Sequence, residues 1–156
     1  MGNFLYELFH NQIFVAAASS WLIAQIIKTI IYLILNKEIR LERMTGSGGM
    51  PSCHSATVCA LVTSTCIVCG PGSPELAIAV MFAMVTIYDA MGVRWETGKQ
   101  AQVLNSMMET FQKMGNKDIS PEAKLKELIG HSPLQVLVGG ILGIAIALIE
   151  CLVLWK

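Results

Sequence analysis

Apolar positions fall into four long runs, parted by two polar loops and one tight turn. The first, from about Ile13 to Leu35, is long enough for a helix to cross the roughly 30 Å hydrocarbon layer of a bilayer. The second, about Ser55 to Cys69, and the third, about Glu75 to Met91, flank the turn Gly70-Pro71-Gly72-Ser73-Pro74. Both are near the short limit for a crossing, which predicts a tight helical hairpin. The fourth runs from Leu134 to Trp155, where Gly139, Gly140 and Gly143 offer close helix packing. Between the third and fourth, Val103, Leu104, Met107, Met108, Phe111 and Met114 recur at three-to-four spacing. A helix over about 96–114 would therefore present one apolar face, suited to lying on the membrane or capping a site. Ser120 and Pro121 open a further short helix over about 121–129. The expected fold class is all-α: one membrane-embedded domain over residues 1–156, a polytopic bundle of about four transmembrane helices plus a cytoplasmic amphipathic helix.

Composition agrees with a membrane protein. Of 156 residues, 54% are hydrophobic and only 14% charged, where an ordinary soluble domain carries about 25% charged residues. The formal net charge is zero, so nothing argues for nucleic acid as a partner. The five cysteines form no paired framework. Cys66 and Cys69 lie inside an apolar run and read as small buried hydrophobes rather than a redox or metal pair. No metal and no cofactor is expected. The first apolar run has no basic leader and no small-residue cleavage site, so no cleavable signal is expected. Lys and Arg number 11. Setting aside Lys28 inside the first run and Lys156 beyond the fourth, nine lie in the loops at 36–50 and 92–133. Basic residues gather on the cytoplasmic side of membrane proteins, so both loops are expected to face the cytoplasm.

Those loops carry the candidate chemistry. Gly48-Gly49-Met50-Pro51-Ser52-Cys53-His54-Ser55-Ala56 opens the second run, with Pro51 expected in the first turn of its helix. Gly130-His131-Ser132-Pro133 opens the fourth in the same manner. Unpaired backbone N–H groups and the helix dipole attract anions at such starts. Either motif alone is more often a helix cap than a site; two on one face, joined by a basic loop, predict an anion site. Lys28, with Gln25 one turn before it, either serves that site or extends its ammonium to the interface. Metal-free phosphate-ester hydrolysis needs a nucleophile, a proton donor and positive charge around the transferred group. Histidine suits the first two roles. Lys28, Arg40, Arg43, Arg94, Lys124 and Lys126 could supply the charge, and Asp89 could orient one of them or a histidine.

These motifs, together with Tyr88-Asp89-Ala90-Met91-Gly92-Val93-Arg94, the positions Gly98, Gln100, Ala101, Leu104 and Asn105, and Leu125 to Pro133, resemble the divergent branch of the type 2 phosphatidic acid phosphatase superfamily. Its members are often described as acid phosphatase/vanadium-dependent haloperoxidase-related. The resemblance implies a metal-independent membrane phosphatase acting on lipid phosphates in phospholipid metabolism, here in a bacterial cytoplasmic membrane. It implies His131 as the nucleophile that forms a phosphohistidine and His54 as the proton donor to the leaving group. Ser52 and Lys28 would bind phosphate, with Gly49, Arg43, Arg94 and Lys126 completing the substrate-binding set. Departures from the superfamily pattern are a missing Arg-Pro after Lys28, Cys53 in place of glycine, and Leu125 where an arginine is expected. Gln135 stands where an acid should hold the His131 ring; it can accept a hydrogen bond but brings no charge, and Asp89 and Arg94 are candidates to supply what is missing. Phosphatidylglycerophosphate is the leading substrate expectation and a polyprenyl (pyro)phosphate its rival. A non-catalytic membrane protein that binds anionic lipids is the alternative from another class. A homo-oligomer is compatible with the sequence.

Overall fold

The computed structural model describes residues 2–37, 49–114, 125 and 131–154. Among the described residues six α-helices follow in order: α1 (Gly2–Phe9), α2 (Gln12–Asn36), α3 (Cys53–Cys69), α4 (Pro74–Met91), α5 (Val93–Lys113) and α6 (Pro133–Ile149). A π-helical turn, Glu150–Leu154, prolongs α6. No strand occurs among the described residues.

Local chemistry explains the helix starts. Asn11 Oδ1 accepts the N–H groups of Ile13 and Phe14, each at 3.0 Å, which caps α2. Ser73 accepts from Leu76 N–H at 3.2 Å, and Pro74 follows in the first turn of α4. On α3 the expectation is corrected. Ser52 is the cap, because its Oγ accepts the Ser55 N–H. Pro51 therefore precedes the cap, and helix begins at Cys53.

Among the described residues three helical stretches are long and apolar enough to cross a membrane: Gln12–Asn36, Pro74–Phe111 and Pro133–Leu154. The expected four spans thus become three by length, with the 17-residue α3 as a shorter apolar helix. This short helix is the hub. It packs most extensively on α6, then on α2 and α4. The core is made of small side chains: Ala16, Ala60, Ala147 and Cys151 form one cluster, and Ala24, Cys53 and Ala56 another. Large apolar residues such as Trp21, Leu35, Ile78 and Ile141 point outward. Small residues inside and large ones outside suit a bundle in lipid, where close backbone approach replaces the hydrophobic drive. A β-carbon at Gly139 would overlap the Ser52 carbonyl, and one at Gly143 the Ala56 carbonyl. Thr57, Thr63, Ser64 and Thr65 donate their hydroxyls to carbonyls one turn back, so their polar groups are satisfied within α3.

Helix α5 follows α4 through Gly92. Its buried stripe is Gly98, Ala101 and Asn105, while Val103, Leu104, Met107, Phe111 and Met114 are exposed. The apolar face read from the sequence therefore points away from the bundle, and the small-residue face packs. Glu150 is half-buried, with Oε2 buried and without a hydrogen-bond partner. Of the expected helix over 121–129 only Leu125 is described, and Arg40, Arg43, Lys124, Lys126 and Trp155 lie outside the described residues.

Candidate functional site

Four helix ends converge at one end of the bundle: the late turns of α2, the start of α3, the end of α4 and the start of α6. Two backbone hydrogen bonds join them. Ser52 N–H donates to the Gln135 carbonyl at 3.1 Å, and His131 N–H donates to the Ala90 carbonyl at 3.1 Å. Each bond ties a candidate motif to a different helix, so both motifs occupy one small volume.

Within it, the His54 and His131 rings face each other with centroids 6.1 Å apart and planes inclined by 60°. His131 is 2% exposed, and His54 is half-buried. Lys28 is only 4% exposed, so its side chain is folded into the protein rather than extended to the interface. Gly49 lies against it: a β-carbon there would stand 3.3 Å from Lys28 Cδ, and the backbone φ of +89° also favours glycine.

Hydrogen-bond logic sets the proton on His131. A backbone N–H can only donate, and Ser132 N–H lies 3.1 Å from Gln135 Oε1. This contact fixes the side-chain amide with its oxygen inward. The same oxygen is 3.3 Å from His131 Nδ1, so Nδ1 must carry the hydrogen. In the neutral ring Nε2 then holds the lone pair, and Nε2 is buried without a hydrogen-bond partner. Burial pushes the His131 imidazole below its usual value. The Gln135 hydrogen bond opposes that shift, the charges of His54 and Lys28 reinforce it, and the Gly49 backbone opposes it.

Ser52 is fully buried. Its Oγ accepts from Ser55 N–H at 3.3 Å and from Ser55 Oγ at 3.0 Å, which leaves its own hydroxyl proton to be donated. Cys53, where the superfamily has glycine, is buried, with Sγ 3.8 Å from His54 Nδ1.

The structure thus brings together Lys28, Gly49, Ser52, His54, His131 and Gln135. Asp89 is half-buried beside Ala90, on the turn that receives the His131 N–H. Arg94 opens α5, and nothing is described of its side chain; Arg43 and Lys126 lie outside the described residues. Two contributors were missed in the sequence. Ser132 caps α6 in a reciprocal box with Gln135, and the spacing Ser132-x-x-Gln135 was a readable signal for it. Asn105 clamps Leu125: Nδ2 donates to its carbonyl and Oδ1 accepts its N–H, each at 3.0 Å. No local pattern announces a contact twenty residues apart. Among the described residues no group of three or more His, Cys, Asp or Glu side chains could hold a metal ion.

Fold and site together define a helical integral membrane protein with two histidines from separate motifs facing each other at one end. The chain belongs to the Divergent PAP2 family, which it matches over residues 9–146. It is 38% identical to the uncharacterized membrane protein YuiD of Bacillus subtilis (strain 168), across 92% of this chain and 96% of that relative. No solved structure matches.

Proposed function

We propose that the protein is a phosphatase that hydrolyses a phosphomonoester of a membrane lipid on the cytoplasmic leaflet. The observation that carries this reading is the facing pair His54 and His131, 6.1 Å between ring centroids, beside a buried Lys28. Two imidazoles this close allow one phosphoryl group to be attacked by one ring while its ester oxygen takes a proton from the other.

In the proposed reaction the Nε2 lone pair of His131 attacks phosphorus, and the bond to the lipid oxygen breaks with its electron pair on that oxygen. Protonated His54 donates its proton to the leaving alkoxide. Neutral His54 then takes a proton from water, whose oxygen attacks the phosphohistidine. The phosphorus–nitrogen bond breaks, and phosphate and neutral His131 are released. Lys28 and the Ser52 hydroxyl stabilise charge on the phosphoryl oxygens. Arg43, Arg94 and Lys126 would add positive charge from the loops, and Asp89 would steer one of these cations. Gln135 orients His131 without adding charge. The nine basic residues of the two loops support a cytoplasmic orientation. The uncharged Gln135 favours one second reading, a site that binds an anionic headgroup without turning it over.

Phosphate release from phosphatidylglycerophosphate and from a polyprenyl phosphate, by purified protein in lipid vesicles, tests the proposal. Release is expected from the native protein and lost in His131→Ala and His54→Ala. Equal release from all three would leave only the binding role.

A further inference from the structure

Below the histidine pair lies an apolar groove of about 400 Å³ between α3, α4 and α6. Its walls include Cys59 and Thr63 of α3, Ala83, Ile87 and Met91 of α4, and Ile144 of α6. The Thr63 hydroxyl is spent within its own helix: Oγ1 donates to the Cys59 carbonyl at 2.8 Å. The floor is closed at Ala83, 7% exposed, while the rim at Met84 is 60% exposed, so the groove opens sideways. In a membrane-spanning bundle, sideways means towards lipid.

We infer that this groove holds one hydrocarbon chain of the lipid whose phosphate sits between His54 and His131; the inference rests on the phosphatase reading for the headgroup. Three features select a single chain rather than a second copy of the protein or undirected lipid. The groove's length matches one leaflet. Its lining on α4 runs from Val80 to Met91, about 16 Å at the rise of a helix, close to half of the roughly 30 Å hydrocarbon core. Its upper end meets the site, since Met91 adjoins Ala90, whose carbonyl holds the His131 backbone at 3.1 Å. Its volume falls within the roughly 300–1,000 Å³ of small-molecule pockets. Ile144 lies eleven residues past Pro133 on α6, just as Val80 lies eleven before Met91 on α4, so both walls reach one depth below the site. The substrate class follows: a phosphate monoester bearing at least one chain that reaches the middle of the bilayer.

The test uses the full-length protein in lipid vesicles and two readouts. A hexadecyl phosphate carrying a diazirine at mid-chain is photoactivated, and the labelled peptides are identified by mass spectrometry. Label is expected on the peptides holding Cys59–Thr63 and Ala83–Ile87, in native protein and in His131→Ala alike, and is expected to be lost in Ala83→Phe. Ile144→Trp, on the opposite wall, serves if Ala83→Phe fails to fold. Independently, KM for n-alkyl phosphates should fall from butyl to dodecyl and then level off. Ala83→Phe should erase that trend without changing butyl phosphate hydrolysis. Label spread evenly over the outer face of α2, or unchanged in both filled variants, overturns the groove. Label that enters only when the protein is diluted to monomers also overturns it and assigns the face to a second copy. Labelling of the groove with no hydrolysis of any ester sinks the phosphatase reading alone. Hydrolysis indifferent to chain length, with no label in the groove, sinks the groove alone.

Discussion

Gln135 Oε1 lies 3.3 Å from His131 Nδ1 and 3.1 Å from the Ser132 N–H, so one oxygen serves both the helix cap and the ring. The cap is what makes the relation firm. Because the backbone N–H demands an acceptor, the amide cannot flip, and the ring has one tautomer. An uncharged residue thereby does half of what an acid would do. It directs the lone pair to Nε2 but offers no charge to a ring that becomes cationic.

Gln135→Glu separates these two roles. Glutamate fits the same capping box, so the helix start should survive, while the carboxylate favours a charged ring. The expected result is a higher kcat and an acid limb moved to higher pH. Gln135→Leu should strand two buried donors, costing about 1–3 kcal/mol each, and lower kcat with little change in KM. Steady-state kinetics and unfolding in detergent check both variants.

The acid limb of activity should lie below the ordinary histidine value of about 6.5. The sign follows from the site: attack needs neutral His131, activity rises as the ring loses its proton, and burial with the neighbouring His54 and Lys28 charges lowers that pKa. Lys28→Met removes one of the lowering charges, so the limb should move up while KM for the phosphate ester rises. A pH–rate profile of native and variant protein reads both changes.

Gly139→Ala should separate α3 from α6, because its methyl would meet the Ser52 carbonyl. Overpacking of this kind costs about 1–3 kcal/mol. Activity should fall further than stability, since Ser52 and its bond to the Gln135 carbonyl lie at that contact. Gly143→Ala, one turn deeper against Ala56, should destabilise comparably with less loss of activity. Thermal unfolding in detergent alongside turnover distinguishes the two.

Asn105→Leu should release Leu125 from α5, since both hydrogen bonds of the clamp are lost. Leu125 lies six residues before His131 in the chain, so kcat is expected to fall while KM and the pH of the acid limb stay in place. A shift of the limb instead would assign Asn105 a direct electrostatic role.

Local order was legible along the chain. Ser73 and Pro74 open α4 because capping and the fixed φ of proline act over three or four residues. The apolar runs at 13–35 and 134–155 read as helices for the same reason, their periodicity and length being local. Membership of the site was harder. Lys28 could equally have extended to the interface, and its burial depends on how α2 packs near Gly49. That Gly98, Ala101 and Asn105 form the side of α5 that packs was not legible either.

What periodicity could not rank was inside against outside. In water an apolar stripe marks the core, but in lipid Ile141 facing hydrocarbon and Ala147 in the core are both apolar. Side-chain size, set against the neighbouring backbone, makes the difference. The residue order along the chain thus settles the long helices and the start of α4, which rest on interactions within a few residues. That the 17-residue α3 is the hub, that Lys28 turns inward and that His54 meets His131 follows from Gly139 and Gly143 admitting the α3 backbone. Such fits exist only once distant segments are packed together.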